Sequence, residues 1–208
     1  MREKKTRCPL ILNWCLALCA AARLTRDAGS GAGTIGLLSA AVSKAYGAKK
    51  IFVTDISEKK REFASGYLGC GTMAPGPRST PADIARQFRK EMFLEEGVDV
   101  LLECTGVEAS AQTVLYAFAA GGVFVQIGLG KPIQALPLLD MCGKGTVLKT
   151  AFRYAPRDYE IALGLLDSGV VSVTPLISSI VPFEQAPEAW ERTGRGARVK
   201  NLIEGVRG

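Results

Sequence analysis

Apolar residues along this chain gather in short continuous runs, and between the runs lie longer stretches in which they recur at helical spacing. The runs Ile51–Thr54, Val98–Glu103, Val123–Ile127 and Thr146–Phe152 have the length of strands. Their weak alternation marks strands buried on both faces. Between and before them, Thr34–Ala45, Glu58–Leu68, Ala82–Glu95 and Ala109–Ala119 predict helices; in the third, Ile84, Phe88 and Met92 or Phe93 share one face. Glycines stop these elements at Gly69-Cys70-Gly71, Gly97 and Gly121-Gly122, and the proline-rich Ala74–Pro81 reads as a loop. Strands alternating with helices need crossover connections, which implies a parallel sheet with helices on both faces. From Ala155 the texture changes. Asp158–Asp167 and Glu184–Arg192 predict helices, Val171–Ile180 is extended around Pro175, and Val199–Ile203 predicts a final strand. The expected organisation is an atypical N-terminus over 1–28, an α/β domain over 29–153 and a smaller C-terminal segment over 154–208.

Ligands of such sheets sit beyond the carboxyl ends of the strands. Those ends here carry small or polar residues: Gly31–Gly36, Asp55, Cys104-Thr105-Gly106, Gly128-Leu129-Gly130 and Arg153-Tyr154. The first is a G-x-G-x-x-G on Gly31, Gly33 and Gly36 that opens the helix Thr34–Ala45, and Asp55 tips the next strand. Together they form the fingerprint of a dinucleotide site on a doubly wound, Rossmann-type sheet. Gly31 permits the tight turn, Gly33 lets backbone approach a pyrophosphate, and Gly36 lets the helix pack close. The helix then aims the amides of Thr34 and Ile35 at the phosphates. A carboxylate at Asp55 accepts both ribose hydroxyls and repels a 2′-phosphate, which favours NAD over NADP. The plain alternative is a glycine-rich turn with no ligand.

What feeds the glycines does not read as a strand. Arg23-Leu24-Thr25-Arg26-Asp27-Ala28 is rich in charge where a central parallel strand should be apolar. The expectation is a sheet lacking a proper first strand. Upstream, residues 1–22 combine a basic start, an apolar run from Pro9 to Ala22 and small residues at Ala20-Ala21-Ala22. That is the grammar of a signal peptide, too short for a confident span. A targeting segment, an amphipathic helix and an aberrant N-terminus are all open readings; the unusual feeder favours the last, and the expected compartment is the cytoplasm.

Composition removes several functions. Apolar content of 48% and charge of 22% describe an ordinary globular chain, and the net charge of +6 sits mainly near the termini. No element gathers basic residues with aromatic platforms, so neither nucleic acid nor a membrane is an expected partner. The chain has no histidine, which excludes imidazole acid–base chemistry, Ser-His-Asp triads and any zinc site with an imidazole ligand. Its six cysteines form no C-x-x-C and read as reduced core thiols.

From Gly31 to about Ile203 the chain resembles the coenzyme half of the zinc-containing medium-chain dehydrogenases, in particular the sorbitol, xylitol and arabinitol (polyol) dehydrogenases. The residues that carry this are Gly-Ala-Gly-Thr-Ile-Gly at 31–36, Val-Thr-Asp-Ile-Ser at 53–57, Glu-Cys-Thr-Gly at 103–106, Gly-Leu-Gly at 128–130 and Phe-Arg-Tyr at 152–154. The resemblance implies hydride transfer between NAD and a secondary alcohol of a polyol. It implies Gly31–Gly36 at the pyrophosphate, Asp55 and Lys60 at the adenine ribose, and Thr105, Gly128 and Leu129 on the nicotinamide side. Arg153 and Tyr154 would face the substrate cleft, although a strand-end arginine is as readily a surface or interface ion pair. It also implies a zinc held by cysteine, histidine and glutamate of an N-terminal catalytic domain, whose ligands this chain does not carry. No catalytic or metal residue is therefore assigned here, and the isolated chain is expected to be inactive. The C-terminal segment would then leave Leu176, Ile177, Ile180, Val181, Phe183 and Trp190 exposed. Relatives are commonly homo-oligomers; nothing in this sequence argues for one.

The residues admit two other functional readings. One is a non-catalytic nucleotide-binding remnant, favoured by the absent histidine. The other is a methyltransferase using S-adenosylmethionine, because Asp27–Gly33 spells D-x-G-x-G-x-G; the later segments have no place in it. Tyr46 and Lys50 form a Y-x-x-x-K like that of short-chain dehydrogenases, but they lie on the first crossover, too early to reach a nicotinamide.

Overall fold

The computed structural model describes residues 26–76, 79–154, 157–196 and 199–205. The apolar N-terminal run lies outside them. Six strands, β1 (Arg26–Ser30), β2 (Lys50–Thr54), β3 (Gly71–Met73), β4 (Val98–Glu103), β5 (Phe118–Gln126) and β6 (Val147–Thr150), form one sheet in the order β3-β2-β1-β4-β5-β6. Every pair is parallel. The chain order reverses between β1 and β4, so their carboxyl ends flank the crevice in which doubly wound sheets take ligands.

The expectation of a missing first strand is corrected. Arg26–Ser30 is a central strand, in register with β2 on one side and β4 on the other. Its ladder groups are therefore paired on both edges. The charge that argued against it is handled locally. Arg26 opens the strand at the sheet's rim, where its backbone N–H, Nε and Nη2 reach the carboxylate of Asp99 at 2.8, 3.1 and 3.0 Å. Asp27, by contrast, is buried within the strand. The remaining positions, Ala28, Gly29 and Ser30, are small, so neighbours such as Phe52 and Leu101 supply the bulk of the core beside them. A strand of small residues has no apolar run for periodicity to detect.

Helices α1 (Thr34–Ala45) and α2 (Glu58–Leu68) cover one face; α3 (Pro81–Glu91), α4 (Glu108–Tyr116) and α5 (Leu138–Lys144) belong to the other half of the crossovers. α3 starts where the prolines stop: Thr80 accepts the N–H of Asp83 at 3.2 Å and Pro81 takes the first turn, where its missing N–H costs nothing. Ile84 and Phe88 are buried, but the helix ends at Glu91 and Phe93 points to solvent at positive φ. The predicted helix Ala109–Ala119 is also shorter. Phe118 already belongs to β5, buried and paired with Val98, and a register shift absorbs the residues between there and Val123. β3 and α5 fall in stretches for which no element was expected.

The C-terminal segment holds α6 (Asp158–Asp167), α7 (Ala186–Gly194) and a two-stranded parallel sheet of β7 (Ile177–Val181) and β8 (Lys200–Ile203). It closes a core rather than hanging free. Val171 and Leu176 pack with Leu37, Leu38 and Val42 of α1 and with Ala64 and Leu68 of α2. The expected exposed set is accordingly corrected: Leu176 and Val181 are buried and Ile177 is half-buried, whereas Ile180, Phe183 and Trp190 do face solvent. Among the described residues no helix is long and apolar enough to cross a membrane.

Candidate functional site

The turn after β1 shows what each glycine is for. Gly31 has φ +94°, a conformation that L side chains rarely adopt, and its N–H donates to Thr54 O at 2.8 Å, fastening the turn to the end of β2. A Cβ on Gly36 would lie 1.8 Å from Gly31 O and 3.7 Å from Cys104 Cβ, so α1 seats directly on the turn and on the end of β4 only because that atom is absent. Gly33 is different. A Cβ there would meet nothing within 4 Å. It caps α1 without a side chain, leaving the first amides of the helix, those of Thr34 and Ile35 among them, without a side-chain acceptor. The Thr34 hydroxyl turns the other way and donates to Val199 O, tying α1 to the C-terminal segment.

Asp55 stands just beyond β2 and faces this turn. Its Oδ2 accepts the N–H of Ala32 and its Oδ1 that of Ser57, both at 2.8 Å. The carboxylate thus braces the glycine turn, and each oxygen keeps a further lone pair. Arg61 supports the same corner by donating to Asp55 O at 2.8 Å. Between this corner and α4 opens a cavity of about 560 Å³ lined by Gly31, Asp55, Lys60 and Thr105, with Ser110 and Val114 on its far wall. That volume suits an organic ligand. Much of the wall is apolar, from Ile56, Ile84, Val107 and Val114, with polar groups both at the β1 and β2 ends and on α4, at Ser110 and Thr113.

The second wall is made by the ends of β4 and β5. Glu103, the last residue of β4, is fully buried. Its Oε1 accepts the N–H of Thr105 at 2.9 Å and the Thr105 hydroxyl, and its Oε2 accepts the N–H of Gly106 at 2.8 Å and Nε2 of Gln126 at 3.0 Å. The same Gln126 amide donates to Gly128 O at 2.8 Å. The two turns then cross backbone on backbone: a Cβ on Gly128 would lie 2.0 Å from Gly106 N, and one on Gly130 1.8 Å from Gly106 O. The Thr105 hydroxyl has its proton committed to Glu103 and also accepts the N–H of Val107 at 3.0 Å. What Thr105 turns toward Gly31 is its methyl, 2.9 Å from where a Gly31 Cβ would stand. Beneath, desolvation and the neighbouring Glu103 carboxylate push the Cys104 thiol up to about 12. It stays protonated and is no nucleophile.

The crevice therefore gathers Gly31, Asp55, Lys60 and Thr105 around one cavity, with Gly33, Thr34, Ile35 and Gly36 at the adjoining helix start. Gly128 forms the crossing behind Thr105, and Leu129 projects beyond it, 76% exposed. Arg153 and Tyr154 lie past β6 and do not line this cavity. Arg153, at φ +62°, lays its guanidinium 5.3 Å from the Phe152 ring centre, and Tyr154 meets Tyr159 edge-on at 5.0 Å. Glu103 and Gln126 hold the turns of this wall together, and motif reading leaves both without a role. The signal for them is a polar residue closing an otherwise apolar strand. Among the described residues, no group of three or more cysteines, aspartates and glutamates is arranged to hold a metal ion, so these residues do not fit a zinc site.

Comparison with known proteins agrees with this geometry. Over 176 residues the chain is 39% identical to a probable D-xylulose reductase A of Aspergillus fumigatus, an alignment covering 85% of this chain and 49% of that protein. The D-xylulose reductase A of Aspergillus niger matches at 38% with the same coverage. The chain spans about half the length of the curated relatives it matches. Among solved structures, alcohol dehydrogenase TADH from Thermus sp. ATN1 superposes with a TM-score of 0.83 at 27% identity, over 95% of this chain and 56% of that one. L-idonate 5-dehydrogenase from Escherichia coli gives 0.79 at 26% identity, over 93% and 54%. Residues 34–168 match the family model described as zinc-binding dehydrogenase. With five of the six sheet strands, the helix after the glycine turn, Asp55 and the ends of β4 and β5 inside that match, the chain belongs to the zinc-binding, medium-chain dehydrogenase family.

Proposed function

We propose that this chain is the NAD-binding portion of a polyol dehydrogenase, an enzyme that would move a hydride between NAD and a secondary alcohol. The observation that carries the reading is the open space at Gly33, beside uncapped helix amides and next to a cavity bordered by Asp55. A pyrophosphate fits there because backbone N–H groups and the helix dipole meet its charge while no Cβ stands in its way. Asp55, already braced by Ala32 and Ser57, offers its remaining lone pairs to ribose hydroxyls and opposes a 2′-phosphate, which favours NAD over NADP. When bound, NAD supplies the hydride acceptor; the protein's part is to hold it across the two walls. The polyol class rests on the names of the relatives, D-xylulose reductase and L-idonate 5-dehydrogenase.

Substrate activation is a separate matter. The family's zinc makes alkoxide formation accessible near neutral pH, and this chain presents no histidine and no fitting donor group among its described residues. We therefore assign binding, not turnover, to the chain as it stands, which is also where the reading as a non-catalytic nucleotide-binding remnant would lead.

A thermal melt of the purified chain tests both parts. NADH at about 100 times its dissociation constant should stabilise a folded binder by roughly 2.7 kcal/mol. NADPH should do less and S-adenosylmethionine nothing, and zinc, NAD and xylitol or sorbitol together should yield no NADH above background. A shift with S-adenosylmethionine alone would overturn the dinucleotide reading, and clear turnover would overturn the assignment of binding only.

A further inference from the structure

We infer that Glu103 is a positioning residue for the nicotinamide end of the dinucleotide, an inference that rests on the binding function proposed above. Nothing about the strand itself needs a carboxylate here. Yet the side chain is fully buried and both its oxygens are used, collecting donors from two different turns. A buried carboxylate is costly unless several hydrogen bonds repay its lost hydration. Glu103 has four, and their donors are the backbone of Thr105 and Gly106, the Thr105 hydroxyl and the Gln126 amide. Its backbone oxygen adds two more, from Ile127 N at 2.9 Å and Gly128 N at 2.7 Å. One residue thus locks the β4 turn to the β5 turn.

The consequence is directional. By engaging the Thr105 hydroxyl, Glu103 dictates that Thr105 shows its methyl, not its oxygen, to the first glycine. Through Gln126 it fixes the Gly128 carbonyl, and so the position from which Leu129 projects. The adenine side depends on other groups. The hydrogen bonds that hold the glycine turn come from Thr54 O and Asp55, neither of which bonds to Glu103; Glu103 reaches that turn only indirectly, through the strand pairing at Ser30 and the Thr105 methyl beside Gly31. Loosening Glu103 should therefore disturb the nicotinamide half of the ligand far more than the adenine half.

Two probes separate the halves: NADH, which spans both, and ADP, which reaches only the adenine and pyrophosphate side. In Glu103→Gln, an amide N–H₂ faces donors that need an acceptor, and NADH should bind roughly tenfold or more weaker while ADP changes less than about twofold. Gln126→Ala keeps three of the four donors, so it guards against a variant that fails to fold; it should weaken NADH about threefold and leave ADP alone. Equal losses for both probes in a folded variant would make Glu103 merely structural, and unchanged NADH binding in both variants would leave it no role; either result overturns the inference. A wild-type chain that binds neither probe overturns the dinucleotide reading and this inference with it, so the two failures are distinguishable.

Discussion

At their carboxyl ends, β1 and β4 run into turns where backbone crowds backbone and carboxylates accept from main-chain N–H groups. At their amino ends the same two strands are joined by side chains, with Arg26 bonded to Asp99 and also reaching Glu96 at 3.2 Å. Both ends place charge at a strand terminus, and the uses differ. Asp55 and Glu103 hold the shape of a crevice, whereas Asp99 holds one strand against its neighbour. A ligand feels the first kind of contact and not the second. The teaching is that a charged residue at a strand end reveals its role by what it bonds: backbone amides of the turns and uncharged side chains at a site, or another charged side chain at a seam.

The largest effects should come from within the glycine turn, where two residues three apart are predicted to respond in opposite ways. Gly36→Ala puts a methyl 1.8 Å from Gly31 O, against backbone that has nowhere to go. It should cost about 3 kcal/mol, a large share of the roughly 5–15 kcal/mol that keeps a domain folded. The Cβ of Gly33→Val would meet nothing within 4 Å, and the change should cost about 1 kcal/mol through the poorer helix cap. Its branched side chain nonetheless fills the place proposed for the pyrophosphate, so NADH binding should fall by roughly a hundredfold, about 2.7 kcal/mol. Urea melts and NADH titrations of both variants check this. A Gly33→Val chain that binds NADH normally would mean the open space is not the ligand's.

Asp55→Ala should fall between these extremes and affect both readouts. It strips acceptors from the N–H groups of Ala32 and Ser57, worth about 1–3 kcal/mol together, and removes the partner proposed for the ribose. The expected outcome is a lower melting temperature with weaker NADH binding and a smaller preference over NADPH. Retained preference would show that discrimination against the 2′-phosphate lies elsewhere.

Much of this crevice was legible before any coordinates, for reasons visible residue by residue. Helices Thr34–Ala45, Glu58–Leu68 and Asp158–Asp167 and strand Val98–Glu103 fall on their expected residues because glycines or turn residues mark their limits. β1 was hidden by chemistry: a strand of Ala28, Gly29 and Ser30 buries little surface of its own, so hydrophobic pattern misses it even at the centre of a sheet. β3 is only three residues and α5 only seven, too short for a period to show. The burial of Leu176 depended on α1 and α2 presenting it a surface, a long-range fact no local window contains. Glu103 stood in a recognised motif, yet its work depends on which N–H groups the folded turns bring to it.

The smallest predicted effect sits at the amino end and tests the comparison most directly. Burial opposes the charged form of Asp99, but hydrogen bonds from the side chain and backbone of Arg26, with the guanidinium's charge, hold its carboxyl below the ordinary carboxylate range. A folded-state pKa below the unfolded value of about 3.9 contributes stability that is fully present at neutral pH, and it is lost as pH falls through about 4 and then through the depressed folded value. Asp99→Asn keeps the shape and removes the charge. It should lower stability at pH 7 by about 1 kcal/mol, and the gap from wild type should shrink as the pH drops toward 3. Since Asp99 touches β1 only at its first residue, far along the strand from Gly31, NADH affinity measured where both proteins are fully folded should be unchanged. A clear loss of affinity there would mean that the seam at Arg26 transmits to the glycine turn, and that the two ends of the strand pair are one device.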